Sequence, residues 1–341
     1  MAATSDPILI IGTERSGSNL LRLILNAHPR IAVPHPPHFL HYLTPIVGSY
    51  GPLDDERNRW ALARDALRLL SAHIHPWDHP IDEARVVAEA KAGLAALVAG
   101  IHDEYREAAG KARWGCKSTF NVDYVDDLRA VCADARFIWL VRDPRDVAAS
   151  AKHSVFGPCH PYRTGLLWRR QQTTALAARN RLGPGVVHLL RYEELVADPK
   201  GRLTELCAFL DEPFEPAMLE HHRSAAAHRL AGAAGSWRAT GLAIGDRSVG
   251  RFRRELAPNE LRQVEAGAGP LMRELGYRPE SPPRGGARPS PASLALREAS
   301  LRCRVEWRSL RTDANVLARW RRDVLVRRLR LKAAARMRGA E

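Results

Sequence analysis

The chain has 341 residues, enough for one large α/β domain with appendages and a core that is stable unaided. Lys and Arg number 52 against 38 Asp and Glu, a formal net charge of +14. The five cysteines are scattered with no Cys-x-x-Cys, and no apolar run reaches the roughly 18 residues of a membrane span, so a disulfide framework, a zinc site and a transmembrane helix are all excluded.

The chain enters an apolar run, Ile8 to Ile11, without the basic and apolar regions of a secretory signal. This run breaks at Gly12, passes a polar loop and continues as a helical pattern with Leu20, Leu21, Leu23, Ile24 and Leu25. Strand, tight loop and helix in that order make an anion cradle, because loop amides and a helix N-terminus converge. Gly12 and Gly17 fit Gly-x-x-x-x-Gly-Lys-[Ser/Thr], but Ser18 and Asn19 replace the lysine and the magnesium-binding hydroxyl. A metal-dependent kinase or NTPase is disfavoured on that chemistry, and the cation of the loop is Arg15. Arg15-Ser16-Gly17-Ser18-Asn19-Leu20 resembles the 5′-phosphosulfate loop of sulfotransferases that use 3′-phosphoadenosine 5′-phosphosulfate (PAPS), of the bacterial and tyrosylprotein-sulfotransferase type.

Residues 26 to 53 read as a Pro- and His-rich connection with a short strand at Ile31 to Val33. His35, His38 and His41 recur every third residue, but Pro36 and Pro37 oppose the helix that would align them on a metal. They remain loop histidines or a general base close to the cradle. The resemblance implies a glutamate as base about twenty residues after the Arg, where this chain has His35, Pro36 and His38; His35 is preferred over His38, with Glu14 or the acceptor itself as the fallback.

Apolar residues at helical spacing over 54–70 and 82–109, with Asp82 as N-cap, predict a helical insertion. The stretch His73 to His79 between them is a candidate lining of an acceptor pocket or a plain surface plug. The chain returns to the sheet at Arg113 to Lys117, and the resemblance implies that Lys117-Ser118 lies close to the phosphosulfate.

Phe137 to Val141 reads as a buried strand with Arg142 at its carboxyl end, where open α/β sheets bind ligands, and Asp143-Pro144 starts a helix. Arg142 and Ser150, eight residues apart, match the family's 3′-phosphate site. A further strand over 185–191 ends at Tyr192, which the resemblance places beside the adenine. Arg251, in Gly250-Arg251-Phe252-Arg253 before a helix expected over 258–275, matches the segment closing on the 3′-phosphate.

The resemblance runs from about residue 7 to Tyr277, and a Pro/Gly-rich linker follows at 281–291. Residues 280–341 carry 16 Lys and Arg against 6 Asp and Glu, so the basic charge belongs to a helix-favouring tail. Peripheral contact with an anionic membrane, a partner or second subunit, and packing back on the domain stay open. Nucleic acid is not expected, since no base-reading module is visible. Because the cradle lies upstream, removal of residues 281–341 is expected to spare nucleotide affinity.

The expectation is thus an α/β, P-loop-like three-layer fold: a central parallel sheet flanked by helices, a helical insertion, a sulfotransferase domain over 1–279 and a helical extension over 280–341. The expected activity is metal-free transfer of a sulfuryl group from PAPS to a hydroxyl or amine, in a reducing, cytoplasmic setting or at the membrane periphery. The acceptor is open among small molecules, lipids, carbohydrates and peptides. An inactive nucleotide-binding regulator and a P-loop kinase are the alternatives.

Overall fold

The computed structural model describes residues 6–281 and 289–338. Five strands, β1 (Ile8–Gly12), β2 (Ile31–Ala32), β3 (Arg113–Lys117), β4 (Arg136–Val141) and β5 (Val187–Arg191), form a parallel sheet in the order β2-β3-β1-β4-β5. Every residue of β1 is buried, as a strand covered on both faces requires. Successive side chains go to opposite faces. Leu9, Ile11, Phe137 and Trp139 join one core with Leu62, Leu97 and Trp168 from the helices Glu56–Ser71, Leu94–Ala108 and Pro161–Leu182. Ile8, Ile10, Ile138 and Leu140 join a second core with Leu21 and Leu203 from the helices Ser18–Asn26 and Pro199–Leu210. The three-layer α/β architecture read from the sequence is the one observed.

Register sets the place of the site. Ile8 pairs with Arg136 and Gly12 with Leu140, so β1 and β4 end side by side. From β1 the chain passes to β2 on one flank, and from β3 it crosses to β4 on the other, which opens a crevice between the carboxyl ends of β1 and β4. Gly12 sits at φ +142°, and a Cβ there would lie 2.4 Å from the Leu140 carbonyl oxygen. Glycine is therefore what lets the chain leave the sheet so close to β4.

Two expected helices are broken. The span over 82–109 divides at Gly93 (φ +108°) into Glu83–Glu89 and Leu94–Ala108, and that over 258–275 divides at Gly269-Pro270. Asp82 caps as expected, accepting from the Ala84 and Arg85 amides. The 281–291 linker falls largely outside the described residues. Beyond it, the helices Pro291–Thr312 and Val316–Arg338 return to the body: Val326, Leu329 and Ala333 enter the larger core, and Glu298 accepts from the Cys159 and His160 amides at 2.9 and 2.8 Å. No described helix is long and apolar enough to cross a membrane.

Candidate functional site

The loop after β1 is drawn tight by its own backbone, the Ser16 amide donating to Thr13 O at 3.3 Å, and Gln172 Nε2 holds the Thr13 hydroxyl at 2.9 Å. Arg15 takes φ +71°, a left-handed conformation that costs a non-glycine residue about 1–3 kcal/mol and recurs at ligand clamps. Gly17 follows at φ +91°, where a Cβ would lie 2.4 Å from the Tyr192 ring. Ser18–Asn26 begins immediately, so its free amides face the loop.

Around this cradle the arginines are fixed before any ligand arrives. Arg15 Nε donates to Ser150 Oγ at 3.0 Å and its Nη2 to Ser236 O at 2.8 Å. Arg142 Nη1 donates to Arg15 O at 3.0 Å and Nη2 to Ser248 O at 2.5 Å, with its guanidinium 4.4 Å from the centre of the Tyr192 ring. Asp146 accepts from the Gly250 and Phe252 amides at 2.8 and 3.0 Å, which holds Arg251 beside the cleft, and Glu255 pairs with Arg251 through both oxygens. One cleft is thereby lined by Arg15, Gly17, Ser18, Asn19, Leu20, Arg142, Ser150, Tyr192 and Arg251. Ser16 lies beneath it, fully buried. Ser16 Oγ, Asn19 Oδ1 and Arg142 Nε are buried with no partner among the described residues, and like the His35 nitrogens they would need a small local shift to meet a ligand.

A second cavity of about 380 Å³ meets the first at Arg15, Ser18, Asn19 and Trp237. Lys117, at the end of β3, lines it; burial and the nearby Arg22 push its pKa down to about 8, which leaves an ammonium that loses its proton easily. Glu14 also lines it, and burial raises its carboxyl against the pull of Lys117 and Arg15.

The two histidines differ. His38, at φ +57°, has Nδ1 2.8 Å from Ser118 Oγ, while its Nε2 has no partner and is not sealed from the cavity. His35 is packed among His73, His75 and Trp237 with ring centroids 4.9, 4.8 and 5.7 Å away, and both its nitrogens are buried without a partner. Burial first, then neighbouring cations, holds both imidazoles well below the ordinary histidine pKa. His73 and Ile74 of the expected acceptor stretch line this cavity, with Phe120 and Phe156.

Several contributors escaped the sequence reading. The 236–248 segment roofs the first cleft, Asp146 clamps Arg251's neighbours, and Arg302 and Arg322 of the tail wall the second cavity. Asp146, one helical turn after Arg142, could have been suspected from spacing; nothing in the sequence brings the tail arginines to this place.

The model of the Sulfotransferase family matches residues 7–216. The chain belongs to the sulfotransferase family. Protein-tyrosine sulfotransferase 1 of Danio rerio is 27% identical over 307 residues, 84% of this chain and 76% of that protein. An uncharacterised protein of Aquifex aeolicus (strain VF5) is 25% identical over 227 residues, 64% of this chain; the chain spans only 27% of that relative. Among solved structures, the sulfotransferase domain from the Synechococcus PCC 7002 olefin synthase shares the fold, with a TM-score of 0.53 and 19% identity over 78% of this chain and 96% of that one. The family match ends before Arg251 and the roof of the cleft, which the resemblance read from the sequence had included.

Proposed function

We propose that the protein transfers a sulfuryl group from PAPS to a hydroxyl or amine acceptor. The observation that carries this reading is the convergence of Arg15, Arg142, Ser150, Tyr192 and Arg251 on one cleft, above the unpartnered Ser16 and Asn19. In this reading the amides of residues 17–19 and Arg15 hold the phosphosulfate end, Arg142, Ser150 and Arg251 the 3′-phosphate, and Tyr192 covers the adenine. The guanidinium N–H groups that these arginines keep free of protein acceptors suit phosphate oxygens, and fixed donors suit the charge that builds as the sulfur–oxygen bond breaks.

The second cavity takes the acceptor, with attack in line from the side opposite the leaving oxygen. Lys117 neutralises charge on the transferring group, and no metal ligand is called for. The acceptor proton goes to a neutral imidazole. His38 is the better base of the two expected histidines, because Ser118 orients its Nδ1 and its Nε2 is free, whereas both nitrogens of His35 are sealed. The aromatic lining suits an acceptor with an apolar body: a small molecule, lipid or sugar, or a tyrosyl peptide of the kind named for the Danio relative.

Calorimetric binding of adenosine 3′,5′-bisphosphate with and without magnesium tests the reading. Tight binding indifferent to magnesium is expected. Magnesium-dependent binding would favour the kinase alternative, and binding without turnover on any acceptor the regulatory one.

A further inference from the structure

The helix Val316–Arg338 has two apolar faces. One is covered, since Val326, Leu329 and Ala333 are buried against the larger core. The other is bare: Leu317, Trp320, Val324 and Leu331, at steps of three, four and seven residues, are 66%, 49%, 50% and 64% exposed on one side of the helix. Arg321, Arg327 and Arg328 share that side, exposed and with no acidic partner among the described residues. The preceding helix has its own exposed tryptophan, Trp307, 63% exposed, with the Arg311 guanidinium 5.2 Å from its ring centre.

The tail's acids are engaged elsewhere. Glu298 caps the Cys159 and His160 amides, Glu306 takes Arg319 at 2.6 Å, Asp313 takes the Gly235 amide at 3.1 Å and Asp323 takes Arg322 at 2.8 Å. The bare stripe is therefore apolar and cationic, and the one described acid at its edge, Asp323, is paired with Arg322.

We propose that this stripe docks on an anionic bilayer, with the helix lying in the plane of the interface. Leucine and valine side chains enter the acyl boundary, tryptophan settles at headgroup depth, and the arginines meet lipid phosphates. From Leu317 to Leu331 the stripe is about 21 Å long, sufficient for a shallow, extended contact. A second copy is a poor occupant, because pairing two stripes would set Arg321, Arg327 and Arg328 against their like. A nucleic acid would satisfy the arginines yet leave Leu317, Val324 and Leu331 in water. Arg322, on the opposite side of the same helix, lines the second cavity, so docking does not obstruct it.

The test is cosedimentation of the full chain with phosphatidylcholine vesicles, with and without phosphatidylserine. Pelleting is expected only with phosphatidylserine, and added salt should weaken it. The triple variant Arg321→Gln/Arg327→Gln/Arg328→Gln should lower the partition coefficient about tenfold or more. Trp320→Ser should lower it by a part that salt does not remove, and Leu331→Ser provides an independent variant of the same kind; melting temperature checks that each stays folded. Absence of pelleting with phosphatidylserine, or pelleting that none of these variants changes, overturns the proposal. A dimer in sedimentation velocity that Trp320→Ser abolishes also overturns it and gives the stripe to a second copy.

Discussion

Arg142 donates to the main-chain oxygen of Arg15 at 3.0 Å, so the cation at the end of β4 props the strained residue at the centre of the β1 loop. The two halves of the proposed nucleotide site are mechanically one object. Arg142→Ala should therefore weaken adenosine 3′,5′-bisphosphate binding by about ten- to a hundredfold, the scale of a lost charged hydrogen bond. Adenosine 5′-phosphate loses only the propping of the loop and not the direct contact, so its affinity should fall by less. Equal losses for both nucleotides in calorimetry would sink the assignment of Arg142 to the 3′-phosphate.

Gly17 is held to glycine twice, by φ +91° and by the Tyr192 ring 2.4 Å from where its Cβ would stand. Gly17→Ala should push Tyr192 out of the cleft and weaken nucleotide binding about tenfold or more, at about 1 kcal/mol or more of backbone strain. Fluorescence titration of the variant, with a melting curve to separate affinity from folding, checks it.

The proton balance has a sign that can be measured. His38 must be neutral to act as base, and its pKa lies well below the usual 6.5, so the acid limb of kcat/KM should fall well under pH 6.5. Lys117 must be charged, and its proton leaves near pH 8, so the alkaline limb should lie there. Lys117→Arg should carry that limb upward. His38→Ala should lower kcat by about a hundredfold, whereas His35→Ala should act chiefly on stability. Near-normal turnover in His38→Ala would move the base to Glu14 or the acceptor.

His73 and His102 are buried as neutral imidazoles, with pKa values pushed down to about 3 and about 4 by burial. Unfolded, each titrates near 6.5 and binds more protons than the native state below that pH, so stability must fall as pH drops from 6.5. At pH 5 the loss is about 2 kcal/mol for each. Urea unfolding at pH 7 and pH 5 should show it, and His102→Gln should flatten the difference.

Removing the tail should not be neutral. Truncation is expected to spare nucleotide affinity, but stability is a separate matter, because Val326, Leu329 and Ala333 complete the larger core and Glu298 caps two amides. Loss of residues 289–341 should lower the melting temperature by several degrees or more, from the lost apolar burial alone. Differential scanning calorimetry of the truncated chain decides this.

The parts legible in the sequence were those fixed locally. Ile8–Ile11 and Phe137–Val141 announce strands because buried parallel strands need unbroken apolar runs, and Gly12 and Gly17 mark a turn that only small residues permit. Pairing of β1 with β4 follows from register, which no local pattern reveals, and it brings Arg15 to Arg142 and Ser150. His35 and His38 looked alike along the chain. What separates them is three-dimensional: a Ser118 hydroxyl for one, and ring nitrogens buried among His73, His75 and Trp237 for the other, although both line the second cavity. The roof over 236–248 has no periodicity of its own, so composition could not mark it.

Residues 7–216 are the span that the family's model matches, while Arg302 and Arg322 reach the second cavity from the far end of the chain. The chamber is thus walled from both ends of the chain. Exchange of the tail helices for those of another sequence would redraw the space in front of Lys117 and leave the residues of the β1 loop as they are, so on the proposed reading the shape of what can enter and the group that is handed over are encoded in different parts of the chain.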